Sequence, residues 1–387
     1  MKITVLGAGA IGTAVAVDLA HSDEVTRVQV CEAQPAMLRA FRADRAHPSL
    51  RTFQADARDV STLEPILSGS ACVVSCVGPE HSDRLARLAL GLGAHFVDLG
   101  GTPPEPLPPP AGDALEEVAE RRQRWVVTGC GLAPGLVGVL TMRGVGSLEA
   151  VDAVRIRVGD VPITPPDSFL HRLAHSAERL LDDYTQPALV LRDGEVETRQ
   201  PLTEVEALEV DDFGTMEAFY TSAGLSRLVE SLAGRVDRLS VKTLRYPGHA
   251  ERMRFVLDLG LADRTSLDVR THLTYRDVLV RRLRQRLGGA YDDAVLLRIE
   301  IDGTRGGEPG TLVLEMVDRC KPEAGLSAMQ RCTGFPAAAA AVLLGQKALA
   351  GGGLAAADQV LPADRFLARL AERGIAAQER WEVAEAA

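Results

Sequence analysis

The chain has no run of about 18 or more apolar residues, no cysteine pair at metal-binding spacing, no excess of positive charge and no internal repeat. The first absence excludes a membrane-spanning helix. The second leaves Cys31, Cys72, Cys76, Cys130, Cys320 and Cys332 as reduced, buried thiols, with neither disulfide nor metal expected. The third, a formal net charge of −10, argues against nucleic acid as a partner, though not against a local basic pocket for a small substrate. The apolar pattern begins at Ile3, leaving no room for a signal peptide, so a cytoplasmic protein without a membrane partner is expected. What remains is an ordinary globular composition, 46% hydrophobic and 25% charged. Its 387 residues suffice for two domains with separate cores.

The most informative segment opens the chain. Ile3-Thr-Val-Leu6 runs into Gly7-Ala-Gly9-Ala10-Ile11-Gly12, and a helical pattern continues to about His21. Strand, G-x-G-x-x-G turn and helix in that order form a dinucleotide-binding fingerprint. Gly7 permits the tight turn, Gly9 admits a pyrophosphate, Gly12 lets helix and strand pack closely, and the helix start faces the phosphates with free N–H groups. A second strand, Val28–Cys31, ends in Glu32, placed to accept hydrogen bonds from the adenosine ribose. Ala33, Gln34 and Pro35 follow, with no arginine for a 2′-phosphate, so NAD is expected rather than NADP. Asp56 and Ala57 after a third strand, and Cys76, Val77 and Gly78 after a fourth, complete the candidate cofactor residues with Gly7, Gly9, Ala10, Ile11, Gly12 and Glu32.

Strands at Ile3–Leu6, Val28–Cys31, Arg51–Gln54, Cys72–Cys76, His95–Asp98 and Trp125–Thr128 alternate with helical patterns such as Leu85–Leu92 and Asp113–Arg124. This is the grammar of an α/β, Rossmann-type doubly wound parallel sheet. Pro103–Pro110 reads as an extended surface loop. From about Glu149 the pattern changes to longer alternating strands and hairpins, an α+β substrate and dimerisation domain with a mainly antiparallel sheet. Leu189–Arg192 leads to a turn at Asp193-Gly194, and Ala294–Ile301 to one at Asp302-Gly303 with Thr311–Val317 returning. Phe169–Asp182 and Tyr275–Leu287 read as covering helices. The alanine-rich tail from Phe335, interrupted at Gly351–Gly353, is expected to fold back on the first domain. The expected division is 1–135 with 335–387 against 136–334, in a homodimer or larger homo-oligomer whose sheet has one uncovered face.

Several blocks together resemble the saccharopine-dehydrogenase-like family, and within it the bacterial lysine 6-dehydrogenases. They are Val97-Asp-Leu-Gly-Gly101, Gly131-Leu-Ala-Pro-Gly135, Leu181-Asp-Asp-Tyr-Thr-Gln-Pro-Ala-Leu189, Asp212-Phe-Gly, Glu217-Ala-Phe-Tyr-Thr-Ser222 and Lys242-Thr-Leu-Arg-Tyr-Pro-Gly-His-Ala-Glu251. The resemblance implies NAD-dependent oxidation of an ε-amine to an imine, which hydrolyses to a semialdehyde and closes to a cyclic piperideine carboxylate. Val77-Gly-Pro-Glu-His81 departs from the lysine 6-dehydrogenase pattern and resembles other branches of the superfamily.

Hydride loss from an amine carbon needs an uncharged nitrogen, whereas a free alkylammonium has a pKa near ~10.4. A pocket must desolvate the amine or supply a base, fix a carboxylate with an arginine fork, and meet an ammonium with a carboxylate. His249 (proton acceptor or orienting group), Lys242 (base or salt-bridge partner) and Tyr220 are the candidate catalytic groups. Arg245, Tyr246, Asp183, Tyr184, Thr221 and Ser222 are the candidate ligands of a small amino-acid or amine substrate, with Arg245 on its carboxylate. Cys130 lies between glycines near the cofactor, where its small size suffices as explanation. Two other functions fit the same pattern. One is a saccharopine- or carboxynorspermidine-type reductase joining an amine to a carbonyl compound, which would need extra arginines such as Arg155, Arg157 or Arg227. The other is a dinucleotide-binding protein without chemistry. Glu32→Ala is expected to weaken NAD and narrow its margin over NADP; equal dissociation constants before and after would place ribose recognition elsewhere.

Overall fold

The computed structural model describes residues 1–100, 113–166, 169–173, 176–222, 225–268, 272–289, 292–321 and 325–384. Pro103–Pro110 lies outside the described residues. The chain divides into two units, residues 1–143 with 330–376 and residues 144–329 with 377–387.

The first unit is a seven-stranded parallel sheet. Numbered along the chain, its strands are β1 (Lys2–Leu6), β2 (Arg27–Glu32), β3 (Leu50–Gln54), β4 (Cys72–Ser75), β5 (His95–Asp98), β6 (Trp125–Thr128) and, from the tail, β15 (Gly353–Ala356). They lie in the order β15-β6-β5-β4-β1-β2-β3. β4 and β5 are buried along their whole length, as central strands covered on both faces must be; β4 reads as a short apolar run, while β5 carries His95 and Asp98 at its two ends. β1 pairs with β2 on one edge and β4 on the other, so the strand order reverses there and a crevice opens beyond the strand ends. Residues 330–376 of the tail lie in this unit. Arg369 pairs with Glu24 at 2.9 Å and Arg373 with the buried Asp18. The interruption at Gly351–Gly353, however, leads into β15, which pairs in parallel with β6. Four residues, Gly-Leu-Ala-Ala, carried too little pattern to announce that strand.

The second unit is a mixed sheet. Its strands are β7 (Ala150–Pro162), β8 (Ala188–Arg192), β9 (Glu195–Arg199), β10 (Glu206–Val210), β11 (Gly214–Tyr220), β12 (Arg238–Arg245), β13 (Asp293–Arg305), β14 (Glu308–Arg319) and β16 (Gln378–Val383). The order is β10-β11-β12-β7-β13-β14-β16, with the β8–β9 hairpin attached to β12. Among the described residues only the β12–β7 pairing is parallel, so the sheet is mainly antiparallel as expected. Three details differ from the sequence reading. The long hairpin turns at Gly306-Gly307, both at positive φ, because two successive glycines suit a two-residue turn; Asp302-Gly303 instead marks a register shift against β7. The helix expected over Phe169–Asp182 spans Ala177–Thr185, started by Ser176 accepting from Arg179 N, while Leu170 at φ +56° cannot be right-handed helix. Residues 378–383, placed by sequence with the first domain, form β16 on the outer edge of β14.

Helices Ala177–Thr185, His249–Asp258 and Tyr275–Leu287 form one apolar cluster with Phe219 of β11. A second cluster, with Met216, Ala218, Leu244 and Tyr246, includes residues of the opposite alternation on β11 and β12. Among the described residues no helix is long and apolar enough to cross a membrane.

Gly12 and Gly9 separate fold from ligand. A methyl on Gly12 would lie 1.9 Å from Gly7 O, whereas nothing lies closer than 4.0 Å (Met37 Cε) to a methyl on Gly9. Gly12→Ala is expected to lower the melting midpoint by roughly 3–10 °C. Gly9→Ala should leave the midpoint unchanged and weaken dinucleotide binding; calorimetry and cofactor titration of both variants check the pair.

Candidate functional site

At the carboxyl ends of β1 to β4 lies a cleft of about 230 Å³, bordered by Gly7, Glu32, Asp56, Ala57, Val77 and Gly78. Gly7, at φ +94°, makes the turn out of β1, its N–H donating to Cys31 O at 2.8 Å. Ala10 and Ile11 begin the helix Ala10–Ala20, whose start at Gly9 has no side-chain cap, so its first N–H groups face outward for an anion. The open space above Gly9 is what a pyrophosphate needs, and the residues present fit a dinucleotide.

Glu32 is 8% exposed and fixed by backbone amides, Oε2 accepting from Ala8 N at 2.9 Å and Oε1 from Gln34 N at 2.8 Å. Each oxygen keeps lone-pair capacity for a ribose hydroxyl. Arg58 and His81 also line the cleft, ionisable groups that were not among the candidate cofactor residues. Arg58 pairs with Asp56 at 2.7 Å and holds that carboxyl well below the usual range. Cys76 follows β4, donating its N–H to Leu6 O at 2.8 Å, and burial raises its thiol to about 12, so it stays protonated. Further along the strand ends, Asp98 Oδ1 accepts from Gly100 N (2.8 Å) and Gly129 N (3.1 Å), tying β5 to the loop after β6. Cys130 is fully buried there and its pKa is pushed well up by burial, which suits a packing role.

In the second unit the candidates fall into two groups, because alternate residues of β12 point to opposite faces. On the helix-covered face, Arg245 is 3% exposed and directs all three nitrogens at protein acceptors. Nη1 donates to Asp160 O (3.0 Å) and Leu244 O (2.9 Å), Nη2 pairs with Asp160 Oδ1 (3.2 Å), and Nε donates to Tyr184 Oη (3.3 Å). Tyr184 Oη lies 2.9 Å from His249 Nε2, and His249 Nδ1 lies 2.7 Å from Phe169 O. A carbonyl only accepts, so Nδ1 carries the proton and Nε2 accepts from the tyrosine. The chain of donors therefore runs one way, from Arg245 through Tyr184 and His249 to Phe169 O. His249 is fully buried, stacked on Phe219 at 6.2 Å, and its pKa falls to about 3 through desolvation and the nearby Arg245 charge. Burial raises Tyr184 to about 12. Asp183 and Ser222 are joined at the adjoining helix end, Ser222 N donating to Asp183 O at 3.0 Å, with Arg179 Nε 3.1 Å from Asp183 Oδ1. Thr221 shares a 2.7 Å hydroxyl contact with Thr243.

Lys242 belongs to the other alternation. Its Nζ bonds Glu204 O at 2.7 Å and Glu206 Oε2 at 3.0 Å and sits 4.9 Å above the Tyr220 ring. Glu206 also receives Arg157 Nε at 2.7 Å, and Arg155 pairs with Glu300 and Asp302. Tyr246 donates its hydroxyl to Pro162 O at 2.9 Å. Lys242, Tyr220 and Tyr246 are thus not brought to the Arg245–His249 group. Sequence reasoning missed Asp160 and the buried His171, whose ring lies 5.4 Å from His249. For Asp160 a signal existed, a lone acid in the apolar end of β7, Val158-Gly-Asp160-Val-Pro162. Among the described residues no three His, Cys, Asp or Glu side chains converge to hold a metal ion.

Residues 3–128 match the saccharopine dehydrogenase NADP binding domain, and residues 131–375 match the saccharopine dehydrogenase C-terminal domain. Among solved structures, the apo histidine-tagged saccharopine dehydrogenase (L-Glu forming) from Saccharomyces cerevisiae is similar over 98% of this chain and 99% of that one, at TM-score 0.79 and 18% identity. The homospermidine synthase of Legionella pneumophila, solved in complex with NAD, is similar over 100% of this chain and 92% of that one, at TM-score 0.63 and 12% identity. At these identities the likeness to both is one of fold.

The buried histidine makes stability depend on pH. Its pKa drops from 6.5 to about 3 on folding, so across that window the unfolded chain binds a proton that the folded chain refuses. The stability it confers is complete above about 6.5 and is lost progressively as the pH falls toward 3. His95, lowered to about 4 by burial, acts with the same sign but is common to wild type and variant. In denaturant titrations at a series of pH values, His249→Gln is expected to show a shallower fall than wild type across this window. Equal slopes would mean that His249 is not held neutral by burial.

Proposed function

This chain belongs to the saccharopine dehydrogenase family, and from that premise we propose that it oxidises a primary side-chain amine of a small molecule, as lysine 6-dehydrogenases do, with the ε-amine of lysine as the reference substrate. It is an oxidoreductase whose cofactor is a nicotinamide dinucleotide. NAD is preferred over NADP in this reading, because Glu32 is fixed where a 2′-phosphate would stand and Arg58 is already neutralised by Asp56. The bound oxidised nicotinamide would supply the acceptor for the hydride leaving the amine carbon; the nitrogen releases its proton to water, and a second water converts the resulting imine to aldehyde and ammonia.

The observation that carries the reading is the buried chain Asp160–Arg245–Tyr184–His249, which continues the segment Lys242–Glu251 where the resemblance is strongest. Fixed dipoles out of contact with water suit a reaction that needs an uncharged amine. Within it His249 orients Tyr184, since both its ring nitrogens are engaged and it stays neutral; it does not take the substrate proton. Asp183, Ser222 and Thr221 stand beside this group as substrate contacts. Lys242 and Tyr220 serve the sheet's opposite face. Homo-oligomeric assembly and a cytoplasmic location belong to the same reading.

A reductase joining an amine to a keto acid needs further cations for a second carboxylate. Arg155 and Arg157, two of the three arginines the sequence offers for that task beside Arg227, point away from His249 and are paired with Glu300, Asp302 and Glu206. With purified protein, NAD and a panel of diamino acids and amines, reduced cofactor is expected to accumulate, faster as the pH rises toward the ammonium pKa of ~10.4. Turnover only with a carbonyl compound, an amine and reduced cofactor would replace this reading by the reductase one. No turnover in either direction would favour a binding protein without chemistry.

A further inference from the structure

Resting on the amine-oxidation reading, we infer that Asp160 sets the substrate class: it neutralises Arg245 and offers its free oxygen to a cationic nitrogen, so the far end of the substrate is an ammonium rather than a carboxylate.

An arginine recognises a substrate carboxylate by presenting two parallel N–H groups with an uncompensated charge behind them. Arg245 presents neither. Its three nitrogens are directed at Tyr184 Oη, Asp160 O, Leu244 O and Asp160 Oδ1, and its charge is met by Asp160, itself 5% exposed. The other Asp160 oxygen, Oδ2, is closed to solvent and accepts no hydrogen bond within the protein. A buried carboxylate oxygen without a donor is costly, and a ligand N–H removes that cost.

The surrounding charge has the sign that a cation requires. Val295 of β13 lies in register with Asp160 of β7 on one side and Asp318 of β14 on the other, so both aspartates share its face of the sheet. Asp293, two residues from Val295, shares that face too and accepts from Ala328 N (2.7 Å) and Met329 N (2.9 Å). Three carboxylates thus share the face on which Arg245 is paired. A metal ion is not the fitting cation, because no three such ligands converge among the described residues. An ammonium brings its own N–H donors and can be held through one oxygen. The substrate class is therefore a diamine.

L-lysine and cadaverine differ only in the carboxylate, which makes them the decisive pair. With the NAD-loaded full chain, cadaverine is expected to be oxidised with a kcat/KM equal to or above that of lysine. Asp160→Asn should raise KM for cadaverine roughly 10–100-fold while kcat changes less, and shift the ratio toward lysine as Arg245 is released. A wild-type preference for lysine of tenfold or more, unchanged in Asp160→Asn, overturns the inference and leaves amine oxidation standing. If neither amine is oxidised, the amine-oxidation reading fails by itself. Calorimetric binding of cadaverine, lost in Asp160→Asn, then still supports the site, and no binding overturns it. Should Asp160→Asn not fold, a wild-type crystal soaked with cadaverine decides: nitrogen at hydrogen-bond distance from Asp160 Oδ2 supports the site, and water or nothing there overturns it.

Discussion

A β-strand sends successive side chains to opposite faces, and on β12 that constraint decides which charged residues can act together. Thr243 and Arg245 turn toward the face that packs under three helices, while Lys242 turns toward Tyr220 and Glu206. The two sets are chemically alike and lie within four residues of one another, yet no rotamer change merges them. One set becomes a closed chain of hydrogen bonds with a fixed direction. The other becomes a compensated ion network on the opposite side. Everything assigned to the second unit follows from this partition.

The parallel sheet was legible because its first six strands are short and, β3 excepted, largely buried, because a glycine or an acid stands at or within three residues of each strand end, and because β1 meets its turn at once. The fingerprint Gly7–Gly12 and the carboxylate at Glu32 could be placed from spacing alone, since a helix start and a strand end leave little freedom. The second unit was less legible. β13 continues past Asp302-Gly303 because a register shift there absorbs the glycine, and a turn signal cannot be told from a bulge without the partner strand. β15 is four residues, three of them glycine or alanine, whose reason to be a strand is the edge of β6. Asp160 was overlooked because its partner, Arg245, is 85 residues away and meets it only through the parallel pairing of β7 and β12.

Histidine beside a Pro-Gly turn invites a catalytic reading, and here burial redirects it. His249 starts a helix, loses contact with water, and spends one nitrogen on Phe169 O and the other on Tyr184. A group so engaged transmits position. The tyrosine it holds is in turn the acceptor for Arg245 Nε, so the placement of the guanidinium depends on a ring two contacts away.

The last strand carries a consequence of its own. After the tail helices of the first unit, the chain returns to the second, where β16 pairs with Gly310–Glu315 of β14. The polypeptide therefore passes between the units three times, and neither is a single continuous stretch. A gene fragment ending near residue 376 would leave β14 as a bare sheet margin, its amides and carbonyls along Gly310–Glu315 open to pairing with any neighbouring molecule. β16 thus acts as a selvedge, the woven border that keeps such a fabric from fraying into aggregates.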